Sequence, residues 1–247
     1  MLERDGTDHG TVYTRCGRIN PFLPSSLYDA MLIELQTQVR SVLRRLGLVP
    51  LLDKVRAVWR VGYEDAFSRS LLVEILPGDC VWDVGANVGY YSQRIDSLAS
   101  RVVAFEPVPE TFSRLSELAL PNTTFVNTAL GDVRGVLPMS LANDASSLAV
   151  LGSNITEVQV ARGDDLDLPQ PNIVKIDVEG FEYEVISGMQ TRLRAPECRA
   201  VFCELHFEVL EKRGLRQIPA KIVKHLRSLG FTKIRWLDAS HISAHKS

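Results

Sequence analysis

The sequence predicts an α/β fold in which helices flank a mostly parallel β-sheet. After a turn at residues 77–79, short apolar runs alternate with segments of helical periodicity. Continuous apolar runs are typical of strands buried on both faces, and the helices between them are the crossover connections that a parallel sheet requires. The predicted strands of this sheet are residues 81–84, 101–105, 124–127, 173–177 and 200–205.

The region before the sheet is predicted to be an arm and a helical cap over residues 1–76, followed by the main domain over residues 77–247. Residues 1–26 are polar and contain Gly, Pro and Ser, which is typical of an irregular arm. Apolar residues then recur at helical spacing over 27–46, and a second helical region follows over 51–76. The predicted fold class therefore includes an N-terminal helical extension.

Two further parts of the chain carry strand patterns. Between residues 135 and 162, strand-like pieces follow one another without a helix, which predicts an antiparallel insertion on the edge of the sheet. These pieces are residues 136–141, 147–151 and 155–161. The tail predicts a helix and then two strands, at residues 219–229, 232–237 and 241–244.

Composition and charge exclude several classes of protein. The chain has 247 residues, 45% of them hydrophobic and 23% charged, so it buries a sizeable core and is not a disordered chain. Its net charge of -2 creates no field that attracts polyanions, so nucleic acid is not an expected partner. Four cysteines without a CxxC pair predict reduced thiols in a cytoplasmic protein. Neither a secretory signal nor an integral membrane segment is predicted, whereas peripheral association through basic helix residues stays open.

A glycine-bearing turn follows the first predicted strand. Asp83 lies near the end of that strand, and Gly85, Asn87 and Gly89 follow before a helix begins. Glycine has no Cβ, so a ligand can approach the backbone, and free N–H groups at a helix start suit an anionic group. Because any tight turn favours glycine, the turn alone leaves a purely structural interpretation equally open.

Together with the glycine-bearing turn, Glu106 predicts an adenosyl-binding site. It ends the second predicted strand, about 20 residues beyond Gly85, where an acid accepts both hydroxyls of a ribose. The turn lacks the GxGxxG spacing that admits a pyrophosphate, and Asp83 beside it suits an amine better than phosphates. The predicted cofactor is S-adenosyl-L-methionine, and a dinucleotide oxidoreductase is a less favoured alternative.

Carboxylates lie at the ends of the fourth and fifth predicted strands. Asp177 and Glu179 end one of them, and a strand period of two projects both to the same face. Glu204 and His206 end the other, so the two sets converge if these strands are neighbours. A hydroxyl is a poor nucleophile toward a sulfonium methyl, so O-methylation is helped by a base or a metal that removes or weakens the O–H bond.

The predicted catalytic residues are Asp177, Glu179 and His206. Asp177 and Glu204 are also candidate ligands for Mg²⁺ or Mn²⁺, and the sequence leaves open whether this cluster binds a metal or the acceptor's hydroxyls. The structural alternative is that Asp177 binds backbone N–H groups and that Glu182 stabilises the start of a helix.

These motifs resemble the FkbM family of methyltransferases. The matching segments are residues 81–92, 104–107, 129–132, 175–182 and 204–206. The resemblance implies a class I, Rossmann-like methyltransferase fold with a seven-stranded sheet whose last strand is antiparallel. It also implies donor contacts at Asp83, Gly85, Asn87 and Glu106, with Asn127 and Ala129 where this fold usually meets the adenine ring. One departure is residues 162–166, where a Thr-Leu-Asp-Asp-Leu type of segment is expected.

Family members typically methylate hydroxyls of sugars, glycolipids or polyketide-like natural products, so the resemblance implies O-methylation of a small-molecule or glycan acceptor. N- or C-methylation of a small molecule and a non-catalytic adenosyl-binding protein are the alternatives. The sequence leaves open the acceptor's identity and the formation of a homo-oligomer.

Overall fold

A computed structural model describes residues 63–140 and 155–247, together with Leu148 and four helical positions at 35, 38, 39 and 42. The strands are β1 (Cys80–Val84), β2 (Arg101–Phe105), β3 (Thr123–Val126), β4 (Ala129–Leu130), β5 (Gly135–Ser140), β6 (Ile155–Ala161), β7 (Ile173–Ile176), β8 (Ala200–Glu204), β9 (Lys233–Trp236) and β10 (His241–His245). From residue 63 onward, the described segments contain the α-helices α1 (Tyr63–Glu74), α2 (Tyr90–Asp96), α3 (Pro109–Ser116), α4 (Glu182–Gly188), α5 (Gln190–Arg194), α6 (Phe207–Lys212) and α7 (Ile218–Ser228).

Seven strands form the main sheet in the order β3-β2-β1-β7-β8-β10-β9. All neighbours are parallel except β10, which is antiparallel to both β8 and β9. The central strands β1 and β7 are buried along their whole length, as their mostly apolar sequences predict. The predicted α/β fold class, with seven mostly parallel strands and an antiparallel last strand, is confirmed.

The predicted tail is confirmed with small shifts at its ends, as α7, β9 and β10. The helix predicted over 51–76 is described from Tyr63 and ends at Glu74. The arm, and the helix predicted over 27–46 apart from its four helical positions, lie outside the described residues. Among the helices that the structure describes, none is long and apolar enough to cross a membrane.

The last helix of the predicted cap packs on the sheet. Phe67 and Leu71 of α1, with Ile75 directly after it, are buried in one apolar cluster with residues of the central strands, among them Val81 and Ile173. Burial of apolar surface of this kind is the main stabilising contribution to a domain. The boundary between residues 76 and 77 stays a prediction.

The insertion does not extend the main sheet, so its predicted place on the sheet edge is wrong. β5 and β6 pair antiparallel as predicted, but β6 also pairs parallel with β4, and the three strands form a sheet of their own. This small sheet buries its own apolar cluster, which includes Val108, Met139 and Val158. Such a cluster gives the strands a buried face without the main sheet. The piece predicted at 147–151 lies outside the described residues apart from Leu148, which lies in a bend.

Candidate active site

The turn between β1 and α2 lies at the topological switch point of the main sheet. β1 has β2 on one side and β7 on the other, and open α/β sheets bind ligands beyond the carboxyl ends of such strands. Gly85 and Asn87 have left-handed backbone conformations, with φ of 82° and 50°. Gly and Asn are the residues that adopt this conformation most readily, which explains their place in a turn that redirects the chain.

The glycines of this turn are required by close packing. A Cβ on Gly85 would lie 1.8 Å from the backbone oxygen of Asp177, and a Cβ on Gly89 would lie 2.4 Å from Cδ1 of Leu118. The explanation that the missing Cβ atoms leave room for a ligand is therefore wrong, because protein atoms already fill that space. Gly85 and Asn87 line a cavity beside the turn, whereas Gly89 packs on Leu118.

That cavity, here called the switch-point cavity, has a volume of about 390 Å³ and lies between the strand ends and the small sheet. Its volume is within the range of roughly 300–1,000 Å³ that is typical of small-molecule sites. The predicted site residues on its wall are Gly85, Asn87, Glu106, Ala129, Asp177 and Glu179. Met139 and Leu148 also line it and were missed. The sequence showed strand-like patterns at both residues. It did not show which part of the fold those strands would pack against.

Glu106 supports the wall of the cavity through both carboxylate oxygens. Oε2 accepts a hydrogen bond from the backbone N–H of Asn87 at 3.0 Å, and Oε1 accepts one from Val108 at 2.9 Å. Burial raises the pKa of Glu106, against the lowering effect of these two hydrogen bonds. Because each carboxylate oxygen can accept more than one hydrogen bond, Glu106 can still receive ribose hydroxyls.

Two residues that were predicted to contact the donor, Asp83 and Asn127, are not among the residues that line the cavity. Asp83 is fully buried, accepts a hydrogen bond from Oγ of Ser92 at 2.7 Å and forms an ion pair with Lys175 at 3.1 Å. The side-chain amide of Asn127 donates to the backbone oxygens of Glu106 and Pro107, at 2.9 and 3.0 Å. Both side chains therefore hold the turns that carry the wall, and their predicted contacts with the donor stay predictions.

The predicted catalytic residues converge, and His206 is their centre. Its Nε2 lies 3.2 Å from Oε2 of Glu179 and 3.6 Å from Oδ1 of Asp177. Its Nδ1 lies 2.7 Å from Oε1 of Glu182. These four residues are called the His206 cluster below. β7 and β8 are neighbours, as the convergence required.

The reason for the convergence differs from the predicted one. β7 ends at Ile176 and β8 ends at Glu204, so strand periodicity does not extend to the cluster. Glu179 instead has a left-handed φ of 53° in the turn before α4, and His206 immediately precedes α6. The strand pattern correctly predicted that these residues lie near one another. Their contacts are set by the turns that follow β7 and β8.

The carboxylates of the cluster favour the protonated form of His206. Burial by itself lowers the pKa of His206, but hydrogen bonds to Glu179 and Glu182 and the charge of Asp177 outweigh it and raise the pKa to about 11. The imidazole is therefore protonated at neutral pH and donates from both nitrogens. Burial raises the pKa of Asp177, and the charges of Lys175 and His206 oppose that rise.

Glu204 belongs to a second group. Its Oε2 lies 3.2 Å from Nε2 of His241, and its Oε1 accepts a hydrogen bond from Ser240 at 3.3 Å. Burial lowers the pKa of His241, but contacts with Asp238 and Glu204 outweigh it and raise the pKa to about 9. Within the described residues, the group with metal-ligand spacing is Asp177, Glu179 and His206, whose ligand atoms lie within 4.8 Å of one another. The predicted metal pair of Asp177 with Glu204 is corrected accordingly.

Sequence reasoning missed the role of Glu182. This side chain is fully buried, and its Oε1 accepts hydrogen bonds from the backbone N–H of Gly180 and from Nδ1 of His206. It therefore orients the imidazole, so that Nε2 faces Glu179 and Asp177. A signal was available, because Glu182 opens a helix whose other inward positions, Val185 and Ile186, are apolar, and a glutamate on such a face needs a buried partner.

The unusual segment 162–166 forms a short 3₁₀ turn on the approach to β7. Arg192 holds it from α5, donating to the backbone oxygens of Gly163, Leu166 and Leu168. The carboxylate of Asp164 accepts hydrogen bonds from two backbone N–H groups at the start of α5, each at 3.0 Å. These contacts hold segment 162–166 against α5 ahead of β7, and none of them involves a residue of the His206 cluster.

Comparison with known proteins agrees with this site. The methyltransferase FkbM domain matches residues 83–233 of the chain. The chain belongs to the FkbM family of methyltransferases. The matched region starts at Asp83 and contains the whole His206 cluster and every described residue that lines the switch-point cavity.

Individual relatives extend the comparison. Hexuronic acid methyltransferase AglP from Haloferax volcanii is 34% identical over 169 residues, covering 62% of this chain and 68% of AglP. The 31-O-demethyl-FK506 methyltransferase FkbM from Streptomyces tacrolimicus is 27% identical over 209 residues, covering 67% of this chain and 77% of that protein. The crystal structure of methyltransferase FkbM from Methylobacillus flagellatus KT has the same fold, with a TM-score of 0.52 and 14% identity over 72% of this chain and 47% of that chain.

Proposed function

We propose that this chain is an S-adenosyl-L-methionine-dependent O-methyltransferase that acts on a hydroxyl of a sugar, glycolipid or natural product. The observation that carries the proposal is that Asp177 and Glu179 line the same cavity as the turn residues Gly85 and Asn87. A methyl donor on the turn and an acceptor hydroxyl at the carboxylates would therefore meet in one enclosed space.

The residues of the cavity fit the donor. Glu106 offers carboxylate oxygens for ribose hydroxyls, and Ala129 offers a small apolar wall where an adenine ring would pack. When bound, S-adenosyl-L-methionine supplies a methyl group on a sulfonium as the electrophile. Gly85 and Asn87 hold the turn in the conformation that shapes this end of the cavity.

Glu179 is the proposed base. Its Oε2 is held by the imidazolium of His206 at 3.2 Å, which keeps the carboxylate at the cavity wall. Glu179 would take the proton of the acceptor hydroxyl as the hydroxyl oxygen bonds to the donor's methyl carbon, and the electron pair of the broken carbon–sulfur bond would stay on sulfur. Asp177 is the alternative base, because it lines the same wall and faces the same imidazolium. Holding the two reactants in line should supply much of the rate.

The choice of an oxygen acceptor rests on the carboxylates and on the relatives. A neutral nitrogen nucleophile needs less help from a base than a hydroxyl does, so a carboxylate held beside the donor site favours O-methylation over N-methylation. One relative is named for a hexuronic acid and the other for a 31-O-demethyl compound. These names support an oxygen acceptor on a sugar or natural product for this chain.

Binding and turnover test the proposal separately. S-adenosylhomocysteine is expected to raise the melting temperature, because a ligand that binds only the folded state stabilises it, whereas NAD is expected to leave it unchanged. Isotope-labelled donor and fractionated extract should then yield a labelled acceptor whose methyl group is on oxygen. Stabilisation by NAD alone would show a dinucleotide enzyme, and donor binding without any transfer would show a non-catalytic binding protein.

We expect EDTA to leave the methyl transfer rate unchanged. The positive charge that the carboxylates of the cluster require is already supplied by His206, and a metal bound to its ring would have to displace a proton. The measurement is turnover after EDTA treatment, with and without added Mg²⁺ or Mn²⁺. Activity that EDTA removes and Mg²⁺ restores would instead assign Asp177, Glu179 and His206 as metal ligands.

A further inference from the structure

Lys175 is a charged residue in the middle of a central apolar strand. The strand β7 is completely buried, and Lys175 is its only polar member. In the parallel pairing of the sheet, Lys175 is the direct partner of Asp83 on β1 and of Phe202 on β8. Its side chain is 2% exposed, so its ammonium group needs partners inside the protein.

The ammonium group of Lys175 has one hydrogen-bond acceptor and two ion-pair partners. Nζ donates to the backbone oxygen of Gly85 at 2.9 Å and lies 3.1 Å from Oδ1 of Asp83 and 3.5 Å from Oδ2 of Asp177. The two carboxylates supply the negative charge that a buried ammonium group needs. Burial lowers the pKa of Lys175, but the carboxylates of Asp83 and Asp177 outweigh it and the net shift is upward, so the group stays charged.

These contacts join the two halves of the site. Gly85 belongs to the turn on the donor side of the switch-point cavity, and Asp177 belongs to the His206 cluster on the acceptor side. Asp177 is consequently held between two cations, with Oδ2 toward Lys175 and Oδ1 toward His206.

The two halves depend on Lys175 to different degrees. The turn has further supports, because the backbone N–H groups of Gly85 and Ala86 donate to the oxygen of Phe105, at 3.1 and 2.9 Å, and Glu106 accepts from Asn87. Among the described residues, Oδ2 of Asp177 has its ion pair with Lys175. Loss of Lys175 should therefore displace the Asp177 carboxylate while leaving the turn in place.

We propose that Lys175 is a positioning residue that fixes the Asp177 carboxylate relative to the donor turn. This inference rests on the proposed methyl transfer, and its effect belongs to the catalytic step and not to donor binding. Displacement of a site group by about 1 Å can cost on the order of 100-fold in rate, and a loss of that size is expected here.

The test uses a charge-balanced variant. Lys175→Met alone would leave Asp83 buried without its cation and risks unfolding, so it is combined with Asp83→Asn, which keeps net charge constant and can still accept the bond from Ser92. The reference is Asp83→Asn alone, and relative to it the pair is expected to lower kcat by about 100-fold with donor affinity within about threefold. Lys175→Gln with Asp83→Asn is the second variant if the first does not fold. An equal loss of donor affinity and of kcat would overturn the proposal.

A double-mutant cycle shows whether Lys175 acts through Asp177. In an Asp177→Asn background, the charge-balanced pair is expected to change kcat by less than about threefold, because the group it positions is already lost. Multiplied losses would mean that Lys175 acts elsewhere and would refute the inference.

A crystal structure of the charge-balanced variant gives a readout that needs no turnover. A displaced Asp177 carboxylate beside an unchanged Gly85 turn supports the role, and an unmoved carboxylate refutes it. If wild type binds S-adenosylhomocysteine but transfers no methyl group, the proposed function fails, and this structure still decides the role of Lys175.

Discussion

Glu179→Gln is expected to lower kcat by about 10²–10⁴-fold while donor affinity stays unchanged. The amide keeps the size of the side chain. In the wild type, Nε2 of His206 lies 3.2 Å from Oε2 of Glu179, and the amide oxygen of the variant can still accept a hydrogen bond from it. What the substitution removes is the ability to take the proton of the acceptor hydroxyl. The measurement is single-turnover transfer with labelled donor, beside a titration of S-adenosylhomocysteine.

Glu208→Gln is the matched control for this variant. Glu208 lies on α6, two residues beyond His206, and its side chain is exposed. The same chemical change outside the cluster should leave both turnover and donor affinity at the wild-type level. Turnover that survives in Glu179→Gln would remove the assigned role from Glu179 and make Asp177 the base.

The sequence predicted the centre of the sheet well because its inner strands are buried on both faces. A strand such as β7 must be apolar almost throughout, so its position is visible without knowledge of its neighbours. The small sheet was placed wrongly for the opposite reason. β5 is buried only toward its end, and strand pattern does not show which partner covers such a strand.

The sequence predicted which residues form the site better than it predicted what each side chain contacts. Asp177, Glu179 and His206 do converge, but Asp83 and Asn127 contact other protein groups and are not among the residues that line the cavity. Residue type and spacing identify which polar groups gather at strand ends. The direction of each side chain depends on local turns, such as the left-handed residue at Glu179, and on partners distant in the chain.

Gly85→Ala is expected to destabilise the protein by about 3 kcal/mol or more. The left-handed φ of 82° costs an alanine roughly 1–2 kcal/mol, and forcing an extra carbon into packed surroundings typically costs a further 1–3 kcal/mol. The clash is severe, because the new Cβ would lie 1.8 Å from the backbone oxygen of Asp177. A backbone atom cannot move aside as the end of a flexible side chain can. The melting temperature should fall by roughly 6–12 °C for a domain of this size.

This substitution should damage both halves of the site together, because relief of the clash moves the β1 turn and the β7 turn apart. Donor affinity and turnover are therefore expected to fall together in whatever fraction stays folded, unlike in Glu179→Gln. Gly78→Ala is the matched control, since a Cβ there meets no atom within 4 Å. Its melting temperature should stay close to that of wild type. A Gly85→Ala protein with wild-type stability would show that the ends of β1 and β7 can separate freely, and the close contact between them would then not be what holds the donor turn against Asp177.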